Sequence, residues 1–226
     1  SPADSLSLGR PLTLANVAEG AEGLIVSDLA RAVAARPKAP AVSLAVICRD
    51  GPRMSQMARA LEFFAPDLAV MQFPAWDCQP YDRVSPAPSI VAHRMTTLSR
   101  LAKTKSGERP RLLLTTVNAA LQRVPAFSKV ASESFSAAPG NMVDTEELAR
   151  WLDVNGYLRT STVRETGEFA VRGGIVDLYP PGMPAPIRLD FFGDTLESIR
   201  TFDPETQRTT GQLRGLDLVP MSEAQM

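Results

Sequence analysis

Between Leu24 and Thr115 the chain alternates short apolar runs with stretches whose apolar residues recur at helical spacing, and few folds accept that order. Leu24 to Ala35 (LIVSDLARAVAA) has an apolar helical face, and Pro37 and Pro40 stop it. Ala41 to Ile47 (AVSLAVI) is almost wholly apolar and reads as a strand buried on both faces. Pro52 then opens a second helix, with Met54, Met57, Ala58, Leu61 and Phe64 on one face. Leu68 to Phe73 is a second strand. A Pro-rich stretch (PAWDCQPYDRVSPAPS) interrupts regular structure, and helix returns from Ser89 to Lys103. Leu112 to Thr115 is a third strand, and Val117 to Gln122 a short helix. Strands alternating with helices predict an α/β layer on a mainly parallel sheet, with the helices on its faces.

After Phe127 the pattern changes. Asp144 and Glu147 form a capping box for a helix that turns Leu148, Trp151 and Leu152 inward and stops at Gly156. Strand-like alternation follows in Glu168–Arg172, where Phe169 and Val171 face inward and Glu168, Ala170 and Arg172 outward. Gly173-Gly174 breaks it as a bulge or tight bend would. Further strands are expected at Ile175–Tyr179, Ile187–Phe192 and Leu196–Phe202, the last two joined at a Gly193-Asp194 turn, and another begins at Leu216. One helix followed by antiparallel strands is an α+β unit.

Charge divides at the same place. The 226 residues hold 24 Lys and Arg against 25 Asp and Glu, but residues 1–127 carry +5 and residues 128–218 carry −5. The overall balance argues against binding nucleic acid through bulk positive charge and leaves a local patch open. One His (His93) and two scattered Cys (Cys48, Cys78) do not supply a structural zinc site. Cys48 sits in an apolar run and reads as a buried thiol. No run approaches the ~20 apolar residues of a membrane span. The opening SPADSLSLGRP has neither the basic start nor the apolar stretch of a secretory leader, so a cytoplasmic setting is expected.

Leu12–Ala15 and Glu19–Gly23 occupy the places of the strand and glycine turn of a phosphate loop. Such a loop needs a Lys for the phosphates and a Ser or Thr hydroxyl for Mg²⁺. Here Gly20 and Gly23 lead to Leu24, and Glu19 and Glu22 repel phosphate, so Gly20, Gly23 and Leu24 read as a degenerate, non-binding loop. Asp190 and Asp194 read as exposed turn carboxylates, and His93 as a surface or half-buried helix residue. Trp76 and Tyr81 suit either loop anchoring or a binding surface. Arg100, Lys103, Lys105, Arg109 and Arg111 form a basic run that a solvated loop explains. In the second part Arg172 points away from the core, with Arg159 and Arg164 on the segment before it. Exposed arginines on a small sheet suit interfacial carboxylates as well as open solvent.

Two segments resemble a known family. Residues 73–101 (FPAWDCQPYDRVSPAPSIVAHRMTTLSRL) are similar to a segment of the bacterial transcription-repair coupling factor (Mfd). Residues 167–209 (GEFAVRGGIVDLYPPGMPAPIRLDFFGDTLESIRTFDPETQRT) resemble the segment which that family shares with the excision-repair protein UvrB.

The resemblance implies the family's N-terminal UvrB-like module: a RecA-like α/β domain over 1–127, an inserted α+β domain over 128–214 and a return to the first domain over 215–226. It implies an adaptor with no catalytic site, no metal and no cofactor of its own, since the family's ATP- and Mg-dependent translocase motor and its RNA-polymerase-binding domain lie downstream. The inserted domain of both proteins docks UvrA. Matched residue by residue, Arg159 and Arg172 fall on arginines implicated in that contact in UvrB. Ala170 replaces a third, which shifts weight to Arg172 and its neighbours Arg164 and Ile175. The whole family protein displaces RNA polymerase stalled at damaged duplex DNA, and this module is expected to pack against its distal, C-terminal part. The rival readings are an NTPase or helicase fragment and a duplex-DNA-binding module.

Overall fold

A computed structural model describes residues 11–18, 20–36, 39, 42–78, 86–103, 111–132, 134–221 and 223. Tyr81, Lys105, Arg109 and Glu19 lie outside the described residues. The chain separates into two compact units, residues 1–75 with 103–123 and residues 76–102 with 124–226.

The first unit is an α/β layer. Helix α1 (Glu22–Ala34) precedes strand β1 (Leu44–Cys48), helix α2 (Gly51–Phe64) and strand β2 (Ala69–Phe73). Strand β3 (Arg111–Thr116) runs between β1 and β2, parallel to both, in the order β1-β3-β2. The α2 N-terminus is set by Asp50, whose carboxylate accepts the Arg53 N–H at 2.9 Å, and by Pro52 inside the first turn. Met54, Met57 and Leu61 of α2, Ala30 of α1 and Leu112 and Leu114 of β3 share one core with the buried Cys48, and burial raises the Cys48 thiol pKa.

One expectation needs correction. β1 is an edge strand whose burial alternates, and Ile47 is 59% exposed. Val46 lies in register with Leu114 and packs into the core with the two helices, while Ile47, one residue on, takes the opposite face. An apolar run is thus also compatible with a strand covered on one side. Leu12–Ala15 takes no strand, so the proposed opening strand of a phosphate loop is absent there.

The second unit begins with helix α3 (Pro88–Lys103) over residues 88–102. Past helix α4 (Val117–Leu121, in the first unit) come the short helix α5 (Phe127–Ser132) and strand β4 (Phe135–Ala137). Helix α6 (Thr145–Val154) starts as expected: Asp144 Oδ1 accepts the N–H groups of Glu146 and Glu147. Gly156, with φ +85°, follows its end.

Six strands form the main sheet in the order β10-β9-β8-β7-β6-β5. They are β5 (Leu158–Arg159), β6 (Glu168–Arg172), β7 (Ile175–Leu178), β8 (Ile187–Phe192), β9 (Thr195–Phe202) and β10 (Thr209–Leu213). Only the β5–β6 pair is parallel. A last strand, β11 (Leu216–Leu218), pairs antiparallel with β4.

One face of the sheet carries Phe169, Val176, Leu178, Ile187, Leu189, Leu196 and Ile199 into a core closed by Leu148 and Leu152 of α6 and by Tyr157. The other face is covered only in part. There Ala170 is buried with Val163 and Phe202 in a small second core, so this position faces protein and not solvent as alternation alone suggests. The loop before β6 makes that cover: Glu168 Oε2 accepts the N–H groups of Arg164 at 2.7 Å and Glu165 at 2.9 Å.

Candidate functional site

The partly covered face carries the charged groups of interest. Across the β6–β7 hairpin Arg172 is in register with Ile175 and Ala170 with Asp177; across β7–β8 Asp177 faces Arg188 and Ile175 faces Asp190; across β8–β9 Arg188 faces Arg200 and Asp190 faces Ser198. Register partners share a face, so these positions form one polar ladder.

Asp177 is fully buried and is held by two arginines. Arg188 donates Nε to Oδ1 at 2.7 Å and Nη2 to Oδ2 at 2.9 Å, while Arg172 Nη2 also donates to Oδ2. The Asp177 hydrogen bonds raise the Arg188 pKa despite its burial. Arg188 also lies 4.8 Å over the Phe202 ring. Next along the ladder, Arg200 forms a two-pronged pair with Asp190 at 2.8 and 2.6 Å, and Ser198 Oγ donates to the same carboxylate at 2.6 Å. Burial pushes Asp190 up, but these bonds outweigh it and hold the carboxyl below its usual range. Asp190 is therefore a ladder member and not an exposed turn carboxylate. Asp194, in the turn itself, is exposed as expected.

Of the four residues singled out for partner contact, the structure brings two together. Arg172, half exposed at 50%, and the part-buried Ile175 sit side by side. Arg159 is exposed on β5 in register with Phe169, and its guanidinium lies 5.9 Å over that ring. That register assigns it to the face opposite Arg172. Arg164 is exposed on the loop before β6.

Sequence reasoning passed over Asp177, Arg188 and Arg200. A signal was available: IVDLY sets Asp177 between Val176 and Leu178, and IRLDFF sets Arg188 between Ile187 and Leu189, opposite charges among buried aliphatics, which is how a cross-strand ion pair reads.

At the opposite end of the chain, Gly20 has φ +87° and donates its N–H to Glu22 Oε2 at 3.0 Å. Glu22 Oε1 also takes Arg53 Nη2 at 2.6 Å. The backbone N–H of Glu22 and the Arg53 hydrogen bond keep this carboxyl below its ordinary range. The first turn of α1 thus has a carboxylate of its own chain where a phosphate loop presents free N–H groups. Gly23 serves packing: a Cβ there would stand 2.7 Å from the Ala60 Cβ of α2. Leu24 is partly exposed beside it.

Trp76 acts as an anchor within the second unit. Its Nε1–H donates to Glu223 Oε1 at 3.3 Å, the fully buried Arg94 of α3 donates Nε to the same oxygen at 2.5 Å, and the Arg94 guanidinium lies 5.1 Å over the Trp76 ring. His93, next to it on α3, is exposed. Among the described residues no group of three or more His, Cys, Asp or Glu could hold a metal ion.

Residues 135–223 match the family model of the UvrB interaction domain. Over 97% of its length the chain is 35% identical to a transcription-repair-coupling factor of Myxococcus xanthus, and over 93% it is 31% identical to that of Haemophilus influenzae. It is 36% identical to the Escherichia coli factor over 70% of the chain. The chain belongs to the transcription-repair-coupling factor family. It spans 18%, 17% and 13% of these three curated relatives. The matched region includes the whole polar ladder and Arg159, Arg164, Arg172 and Ile175, whereas Gly20, Gly23 and Leu24 fall outside it. No helix among the described residues is long and apolar enough to cross a membrane.

Proposed function

We propose that this chain is the N-terminal adaptor module of a transcription-repair-coupling factor, and that its second unit docks UvrA during transcription-coupled nucleotide excision repair. The observation that carries the reading is the UvrB interaction domain over 135–223, with exposed Arg159, Arg164 and Arg172 on its surface. Arginine suits this task because its planar fork pairs with carboxylates and remains charged. Arg172 is already oriented: buried Asp177 holds one edge of its guanidinium while half of the side chain stays in water.

The chain has no catalytic role in this reading and binds no nucleotide. The α/β part over 1–127 is a degenerate RecA-like domain in this reading, with the docking domain inserted over 128–214. The Glu22 carboxylate on the Gly20 N–H, and the packing role of Gly23, support a fold that has given up phosphate. The whole protein would couple UvrA to RNA polymerase on duplex DNA with an ATP-driven motor outside this segment.

The direct test is UvrA binding by the wild-type chain beside Arg172→Glu. The variant should bind at least tenfold more weakly, as expected when a central interface arginine is reversed, with its melting temperature within a few degrees of wild type. Unchanged affinity would move the contact elsewhere. A Mg²⁺-dependent rise in melting temperature with ATP would favour the NTPase reading instead.

A further inference from the structure

The polar face does not end at Ile175 and Asp190. Leu189 and Phe191 turn into the main core, so Asp190 and Phe192 of β8 take the other face, the face of Arg172. Phe192 is in register with Thr195, and Thr195 forms a bridge to Met142 on its far side. Phe192, Thr195 and Met142 thus stand abreast at the end of the sheet that holds the Gly173-Gly174 and Gly193-Asp194 turns. Phe192 is 78% exposed and Met142 73%. Apolar side chains exposed singly are ordinary, but a Phe and a Met exposed abreast form a patch of the kind that marks a contact surface.

The charges on this face are not displayed evenly. Arg172 and Arg200 are 50% and 40% exposed, while their carboxylate partners Asp177 and Asp190 are buried and mostly buried. Glu168, another acid at a position of this face, turns its Oε2 to the backbone N–H groups of Arg164 and Glu165. What points outward on the ladder is therefore guanidinium, beside an apolar end. Asp194 and Glu197 are exposed at the turn and at the register shift, on the margin of the patch.

We propose that the face from Arg172 and Ile175 to Phe192 and Met142 is one continuous protein-docking surface, whose occupant is an acidic protein segment carrying an apolar side chain that seats on Phe192. Exposed arginines ringed by apolar side chains, with an aromatic anchor, are the composition of an interface hot spot. The inference rests on the UvrA-docking reading and extends it to residues outside the arginine set.

The test measures UvrA affinity for the intact 226-residue chain as wild type, Phe192→Ala, Met142→Ala, Arg172→Glu and Phe63→Ala, the last a control at a residue 79% exposed in the first unit. Phe192→Ala should weaken binding about tenfold or more and Met142→Ala by a smaller factor. Phe63→Ala should bind as wild type, and all variants should melt close to wild type. Affinity should fall as salt rises. Wild-type affinity in Phe192→Ala, with binding lost in Arg172→Glu, would overturn the extended surface and leave the docking reading standing. Affinity independent of salt would overturn the acidic occupant. No binding of UvrA by the wild-type chain would overturn the docking reading itself.

Discussion

Arg188 closes both its Nε and Nη2 on the buried carboxylate of Asp177, across the β7–β8 pair. Removing that carboxylate leaves Arg188 mostly buried with no partner for its fork and releases Arg172. Breaking a buried pair by deleting one member costs about 3–5 kcal/mol when both charges are out of water. Arg172 is half in water, so Asp177→Asn should cost less, about 2 kcal/mol, as a lower urea midpoint with unchanged slope. Arg188→Lys should recover little, because an ammonium cannot reproduce the two-pronged geometry. A midpoint equal to wild type in Asp177→Asn would mean that the ladder adds nothing to stability.

Gly23 ties α1 to α2. Alanine is ordinarily the better helix residue by about 1 kcal/mol, but here its Cβ would stand 2.7 Å from that of Ala60. Overpacking of this kind costs about 1–3 kcal/mol, so Gly23→Ala should destabilise the chain. The double variant Gly23→Ala, Ala60→Gly should be more stable than the sum of the single effects predicts, which a double-mutant cycle measures directly. Gly23→Lys, which restores the residue type of a phosphate loop, should unfold at lower temperature and gain no thermal shift from ATP, since Glu22 still occupies the Gly20 N–H.

Glu223 joins Arg94 and Trp76 in the second unit. Arg94 is fully buried, so Glu223→Gln removes a charge that compensates it and should cost about 3 kcal/mol. The loss should be visible in the emission of Trp76, whose indole N–H donates to this carboxylate, measured in a Trp151→Phe background. Unaltered emission together with unaltered stability would sink this role for Glu223.

Periodicity made most helices and most strands legible, the short α5 excepted. The α6 start was readable from Asp144 and Glu147 because a cap is a local arrangement, set within four residues. β10 was not anticipated, because TTGQL has no apolar alternation of its own. The arginines of the candidate site could be named from a resemblance. Their sidedness could not: Arg159 and Arg172 part to opposite faces only once β5 is registered against Phe169. Ala170 looked like a solvent position because alternation gives two faces but not what covers the second, which here is a loop bringing Val163 over it. Trp76 had two open readings, and only the placement of Glu223, 147 residues away in the chain, decides for the anchor.

The Arg200–Asp190 pair gives the polar ladder a predictable response to acid. Asp190 has its carboxyl held below the usual range in the folded chain, through Arg200 and Ser198. An unfolded Asp titrates at about 3.9. A folded pKa below that value means the pair stabilises the chain at any pH above the unfolded value, and the contribution is lost as pH falls through the folded one. Both side chains are partly solvated, so its size should be about 1 kcal/mol and not that of a dry ion pair. Asp190→Asn should therefore be less stable than wild type by about that amount at neutral pH, while the two chains converge in urea midpoint as pH falls from the unfolded value through the lower folded one. If the gap between them is the same in acid as at neutrality, the loss at Asp190 is one of shape and hydrogen bonding, and its charge contributes nothing.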